Sequence, residues 1–268
     1  MDKRLKITAP KVREMKSAGD AITVLTAYDY QTARMLDDCG VEVLLVGDSL
    51  GNVVYGFDST LPVTMEMMIA HTGAVVRGRK NALVVADMPF MSYQISVSDA
   101  IANAGRLVKE GGAEAVKLEG GLKVADRIRA IVDADIPVMG HIGLRPQAVN
   151  MMGGYKVQGK LESERLSLIE DARAVEHAGA FALVLEAVPA DLAGEISGLL
   201  SIPAIGIGAG PHCDGQVLVV NDMLGLSEFK PRFVRRFAEL SGSIKGAVSE
   251  YVKEVKSGKF PADSESFT

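Results

Sequence analysis

The chain has 268 residues, 48% of them hydrophobic, and a formal charge of −5 at pH 7, which allows a large buried core and a mildly acidic surface. No basic run is long enough to track a phosphate backbone and no apolar run is long enough to span a bilayer, so neither nucleic acid nor a membrane is an expected partner. Cys39 and Cys213 are too few for a disulfide framework and lack zinc-site spacing; with no apolar segment behind the N-terminal charges, they read as free thiols in a cytoplasmic protein.

Residues 8–17 predict a short amphipathic helix, with Thr8 as N-cap, Pro10 in the first turn and Val12 and Met15 on one face. Beyond Gly19 and Asp20 the chain alternates. Apolar or β-branched runs at 22–26, 43–46, 83–86, 114–118, 137–140, 181–185, 204–207 and 216–220 predict eight strands. Segments of helical period at 28–39, 65–77, 98–109, 122–132, 163–177, 191–200 and 231–255 follow all but one of them. The exception is 208–215, too short for a crossover helix: either it is a single helical turn or one of its flanking strands is misread. The polar tail at 257–268 reads as a docked or frayed terminus.

Strand and helix in alternation imply right-handed crossovers and a parallel sheet. Eight such units in 268 residues match a (β/α)8 TIM barrel spanning the chain as one α/β domain. An open doubly wound sheet is the alternative, but the first strand runs into Ala27-Tyr28-Asp29 and not into a glycine-rich phosphate turn.

A barrel keeps its chemistry at the carboxyl ends of its strands, and polar residues collect there. The second strand stops at Gly47, Asp48 and Ser49, the third at Asp87, the fourth at Lys117 and Glu119, the fifth at His141 and the sixth at Glu186. Side chains alternate along a strand, so Lys117 and Glu119 share the face toward the barrel mouth, and Glu186 shares that of Val184 and Ala182. Inward carboxylates without a His/Cys cluster suit a hard cation such as Mg²⁺ or Mn²⁺. A 2-oxo acid fills two positions on such an ion, which then stabilises the enolate left by proton loss next to the ketone.

Taken singly, each residue has a plainer reading. Asp48 and Asp87 fit an Asx-turn or N-cap, Lys117 and Glu119 a structural ion pair, and His141 a satisfied loop histidine. His71, His177 and His212 are assigned structural roles outright. Glu186, ending an apolar strand, is costly to bury unpaired and is the strongest single candidate. The run 205–210, IGIGAG, reads as a tight strand exit with close backbone approach, not as a nucleotide motif.

The blocks TAYD (26–29), VGDSLGNVVYG (46–56), ADMPFMSYQ (86–94), VKLEGG (116–121), GHIGLRPQ (140–147), LEAVP (185–189) and IGIGAGPHCDGQVLV (205–219) resemble the ketopantoate hydroxymethyltransferase family. The resemblance runs from about residue 5 to 261. It implies transfer of a hydroxymethyl group from 5,10-methylenetetrahydrofolate to 3-methyl-2-oxobutanoate, in pantothenate synthesis. It further implies that Asp48, Asp87 and Glu119 hold Mg²⁺, with Asp48 and Asp87 also at the bound substrate. Ser49 and Lys117 would hold the oxo acid, His141 would line the pocket and Glu186 would be the base. Residues for the folate stay unassigned, and a homodecamer is the implied assembly. The rival readings are a metal-dependent C–C lyase or mutase, and a non-catalytic barrel that binds a 2-oxo acid.

Overall fold

Eight strands, β1 (Ile22–Thr26), β2 (Val43–Val46), β3 (Leu83–Asp87), β4 (Ala115–Glu119), β5 (Val138–Gly143), β6 (Ala182–Glu186), β7 (Ala204–Ile207) and β8 (Gly215–Leu218), pair in parallel in chain order. β8 returns to β1 and closes the barrel. The computed structural model describes residues 4–228 and 231–267. They fall into two compact units, Met1–Val219, which holds the whole barrel, and Val220–Thr268.

Alternate strand residues, among them Ile22, Val24, Val43, Leu45, Val85, Ala182, Val184 and Ile205, form one buried cluster that fills the barrel. The opposite faces, such as Leu44, Val84 and Leu183, are equally buried, which is why these strands read as unbroken apolar runs. Each fully buried Val or Leu contributes about 1.5–3 kcal/mol relative to exposure.

Helix α1 (Ala9–Ala18) is the predicted N-terminal helix. Thr8 caps it by accepting the Lys11 N–H, Pro10 sits in its first turn, and Gly19 ends it in a left-handed conformation (φ 75°). Its Val12 and Met15, with Ile7 and Ala9, join the barrel cluster, so α1 plugs the end opposite the strands' carboxyl termini. Around the barrel run α2 (Tyr30–Asp38), the short α3 (Leu50–Val53), α4 (Met65–Gly78), α5 (Val97–Lys109), α6 (Ala125–Asp133), the short α7 (Val149–Met152), α8 (Glu162–His177) and α9 (Ala190–Leu199).

Two expectations need correction. The 208–214 connection between β7 and β8 contains no helical turn, yet both flanking strands are real and pair at Ile205 with Gly215 and Gly206 with Gln216. The link is a bare bend, which two strands at adjacent positions permit when the backbone is glycine-rich. The last helix does not begin at 231. In the second unit α10 (Val220–Met223) is followed by turns, and α11 spans Leu240–Lys256. Phe233 and Val234 mimic the helical period, but Val234 N–H closes a turn onto Pro231 and Phe237 N–H bonds the Met223 carbonyl. Of the predicted tail, a 3-10 turn at Asp263–Glu265 is described, and 268 lies outside the described residues.

Candidate active site

Every residue that the sequence placed at a strand end lies at one mouth of the barrel. Registers set the neighbours: Asp87 pairs with Lys117 across β3 and β4, Glu119 with His141 across β4 and β5, and Gly143 with Glu186 across β5 and β6. Only glycine serves at 143, with φ 90° and a Cβ that would lie 2.3 Å from the Glu186 carbonyl oxygen. Beyond Glu186, Ala187 is held at φ 49°, a left-handed conformation uncommon for a residue with a side chain. Its N–H donates to the Ile207 carbonyl and its carbonyl accepts from Gln158, which pins the backbone on both sides of the turn.

The local alternatives for Asp48 and Asp87 do not describe what these carboxylates do. Asp48 caps nothing with its side chain; Oδ2 accepts from the Gln147 amide at 2.8 Å, 99 residues further along the chain. Asp87 Oδ2 accepts the Asp48 backbone N–H at 3.0 Å, and Oδ1 lies 2.7 Å from Lys117 Nζ. Ser49 opens α3 without a capping bond and shares its hydroxyl with Tyr28 at 2.9 Å.

A chain of polar contacts links the two sides of the mouth. Lys117 Nζ stands 3.3 Å from His141 Nδ1, and His141 Nε2 stands 3.1 Å from Glu186 Oε2. An ammonium only donates, so Nδ1 is the acceptor and the ring proton sits on Nε2, which is close to Glu186 but not aligned for a hydrogen bond. The Glu186 side chain is 15% exposed, against 6% or less for those of Lys117, Asp87, Glu119 and His141, so it borders the entrance while they lie beneath it.

Electrostatics mark the same cluster. Burial, then the neighbouring Asp87, push the Asp48 carboxyl up to about 7, against help from Lys117 and Gln147. Burial and the Asp48 charge raise Glu119 well above the ordinary glutamate range. Burial works against the Lys117 ammonium, but Asp87, Glu119 and Asp48 outweigh it and hold the lysine charged. Burial, and then Lys117, lower His141, which is therefore neutral at pH 7.

Four carboxyl groups thus share one ammonium and a neutral imidazole, a balance that either protons on Asp48 and Glu119 or a bound cation would meet. The residues fit a hard divalent cation. Their donors are carboxylate oxygens, and buried Asp87 Oδ1 has no aligned hydrogen bond, only the close lysine. Among the described residues, no three His, Cys, Asp or Glu side chains converge closely enough to hold a metal as they stand; Lys117 lies against Asp87 Oδ1 and Gln147 donates to Asp48 Oδ2.

Gln147 and Tyr93 were missed by the sequence reading, and both are buried in this cluster. Neither carries a charge or ends a strand, so no periodicity pointed to them. His71 is the structural histidine expected, bonded to the Tyr28 carbonyl and the Tyr55 hydroxyl. IGIGAG is the expected tight exit: a Cβ on Gly210 would lie 2.4 Å from that of Ala190.

Residues 6–263 match the sequence profile described as ketopantoate hydroxymethyltransferase. The chain belongs to this family. Relatives named 3-methyl-2-oxobutanoate hydroxymethyltransferase include one from Geobacter metallireducens, 61% identical over 98% of this chain and 99% of its own length. Another, from Dehalococcoides mccartyi, is 58% identical over 98% and 95%. Among solved structures, phosphonopyruvate hydrolase in complex with oxalate and Mg²⁺ superposes with a TM-score of 0.64 at 13% identity, covering 98% of this chain and 92% of that one. A 2,3-dimethylmalate lyase reaches 0.62 at 19% identity, covering 97% and 91%. At such identities these two share the ketopantoate hydroxymethyltransferase barrel as a fold and nothing more.

Proposed function

We propose that the chain is a 3-methyl-2-oxobutanoate hydroxymethyltransferase. It transfers a one-carbon unit from 5,10-methylenetetrahydrofolate to 3-methyl-2-oxobutanoate and forms ketopantoate for pantothenate synthesis. Near 60% identity to relatives of that name across almost the whole chain supports the reaction. The observation that carries the roles is the arrangement of Glu186 over His141, Lys117 and the three deeper carboxylates.

Asp48, Asp87 and Glu119 hold Mg²⁺, with Asp48 and Asp87 also contacting the substrate. An ion held by these residues would supply positive charge that lowers the cost of enolate formation. Lys117 and Ser49 orient the oxo acid, Lys117 through its charge and Ser49 through a hydroxyl set by Tyr28. Glu186 takes the C3 proton. His141, neutral, stands beside that carboxylate, with Nε2 3.1 Å from Glu186 Oε2. The resulting carbanion attacks the methylene carbon of the folate iminium, and water then releases tetrahydrofolate and ketopantoate.

A homodecamer in the cytoplasm is the proposed assembly and location. In support of self-association, α11 carries Ile244, Val248, Tyr251, Val252 and Val255 at helical spacing, all exposed. Among the described residues no helix is long and apolar enough to cross a membrane.

Replacing Glu186 by Gln tests the assignment. Exchange of the C3 proton into heavy water is expected to fall by about 10²–10⁴ while the oxo acid still binds. Exchange at the normal rate would remove Glu186 from the role of base. Turnover that persists when the folate is omitted would favour the lyase or mutase reading.

A further inference from the structure

The Gln147 carboxamide is buried and uses every hydrogen bond it can make. Its Nε2 donates to Asp48 Oδ2 at 2.8 Å and to the Met88 carbonyl at 2.9 Å. Its Oε1 accepts from the Tyr93 hydroxyl at 2.8 Å and from the Gln94 amide at 3.3 Å. The Gln147 backbone N–H donates to Glu119 Oε2 at 3.1 Å. One residue in the loop after β5 therefore touches two of the three deep carboxylates.

Tyr93 decides which way the amide points. Its hydroxyl accepts the Glu119 N–H at 3.1 Å and has a single proton to give. Gln147 Oε1 at 2.8 Å is nearer than the Glu119 carbonyl at 3.2 Å, so the proton goes to the glutamine. With its oxygen committed to Tyr93, Gln147 presents its nitrogen to Asp48.

We infer that Gln147, oriented by Tyr93, is the positioning residue of the cation site, holding one oxygen each of Asp48 and Glu119 and so fixing the direction in which these carboxylates face the ion. This rests on the reading that these carboxylates hold a divalent cation. Asp48 gives up Oδ2 and Glu119 gives up Oε2 to Gln147; Glu119 Oε1 remains 3.7 Å from His141, outside hydrogen-bond range.

Neutrality is what makes a carboxamide suitable. A lysine at this place would direct Asp48 equally well but would cancel the charge that attracts the ion, as Lys117 does beside Asp87. An octahedral ion such as Mg²⁺ tolerates little error in ligand direction, and partners that hold the ligands govern affinity for it. A residue that served only to staple loops would need only backbone partners such as the Met88 carbonyl. Gln147 instead spends one amide hydrogen and its backbone N–H on carboxylates, and it ties the end of β4 to the loops after β2, β3 and β5 at the ligands themselves.

Mn²⁺ binding to the purified protein, followed by electron paramagnetic resonance of the free ion, tests this in Gln147→Met, Tyr93→Phe and Asp48→Asn. Gln147→Met keeps the backbone N–H and the bulk and is expected to weaken Mn²⁺ about 10- to 100-fold. Tyr93→Phe releases the amide without removing it and is expected to weaken Mn²⁺ about 3- to 10-fold, with kcat recovering as the metal concentration is raised. If Gln147→Met does not fold, Tyr93→Phe decides alone. Mn²⁺ affinity within twofold of the parent in the folded Gln147 and Tyr93 variants, with loss in Asp48→Asn, overturns the inference and leaves the cation reading standing. Undiminished affinity in Asp48→Asn overturns both.

Discussion

Buried or partly buried acids stand at both ends of this barrel, and they are treated in opposite ways. At the end closed by α1, Asp37 accepts the backbone N–H groups of Lys80, Asn81 and Ala82. Glu114 meets Lys6, Arg79 and the Val84 N–H, and Asp214 meets Lys16, the Ser197 hydroxyl and the Ala204 N–H. Each of these carboxylates is saturated with donors. At the mouth, Asp48, Asp87, Glu119 and Glu186 divide one ammonium among them, and burial drives Asp48 and Glu119 toward the protonated form. The acids at the closed end are given all the partners they need; those at the mouth are left short of positive charge, as the proposed function requires.

The sharpest way to break this contrast is Asp48→Asn. Turnover is expected to fall by about 10²–10³ or more, as for loss of a group stabilising the reacting charge. The cation-free protein is expected to become more stable by about 1–2 kcal/mol, because one buried like charge has gone. A lower melting temperature in chelator would place Asp48 among the structural acids.

Asp37→Asn at the closed end should do the reverse. Its amide turns a donor toward backbone N–H groups that need an acceptor, at a cost of about 2–4 kcal/mol. For a chain of this size that lowers the melting temperature by roughly 5–15 °C. The folded fraction should keep the parent's kcat and KM; a changed kcat would mean that the two ends are coupled.

The smallest effect is in the pH dependence. Asp48 titrates near 3.8 when unfolded and near 7 when folded, so the folded protein holds its proton more tightly. The stability of the cation-free protein must then fall as pH rises between those values, and the full burden applies above about 7. A loss of about 1–3 kcal/mol between pH 5 and pH 8 in chelator is expected. Mg²⁺ at a hundred times its Kd should return about 2.7 kcal/mol. A profile that is flat in chelator would show that the mouth acids are already neutralised.

The fold was legible because its signals are local. Strands buried on both faces are written as runs such as VLLV, and α1 carries its cap, its proline and its apolar pair within ten residues of one another. The inward direction of Lys117, Glu119 and Glu186 followed from period-two arithmetic. What was illegible depends on partners distant in the chain. Gly-Asp-Ser is a turn by composition, and only the approach of Gln147 turns Asp48 away from local capping. Gln147 and Tyr93 are neutral loop residues whose roles exist only through contact. The false helix start at 231 arose from apolar spacing, which cannot report that Val234 and Phe237 bond other backbone partners.

The plug made by α1 has a consequence for traffic. With Ile7, Val12 and Met15 seated in the barrel cluster, apolar side chains fill that end. Asp48 and Lys117 are buried and Glu186 is partly exposed, so whatever rests on the first two lies beneath whatever meets the third. For the proposed reaction this layering predicts an order, the oxo acid binding ahead of the one-carbon donor, and product-inhibition kinetics check it.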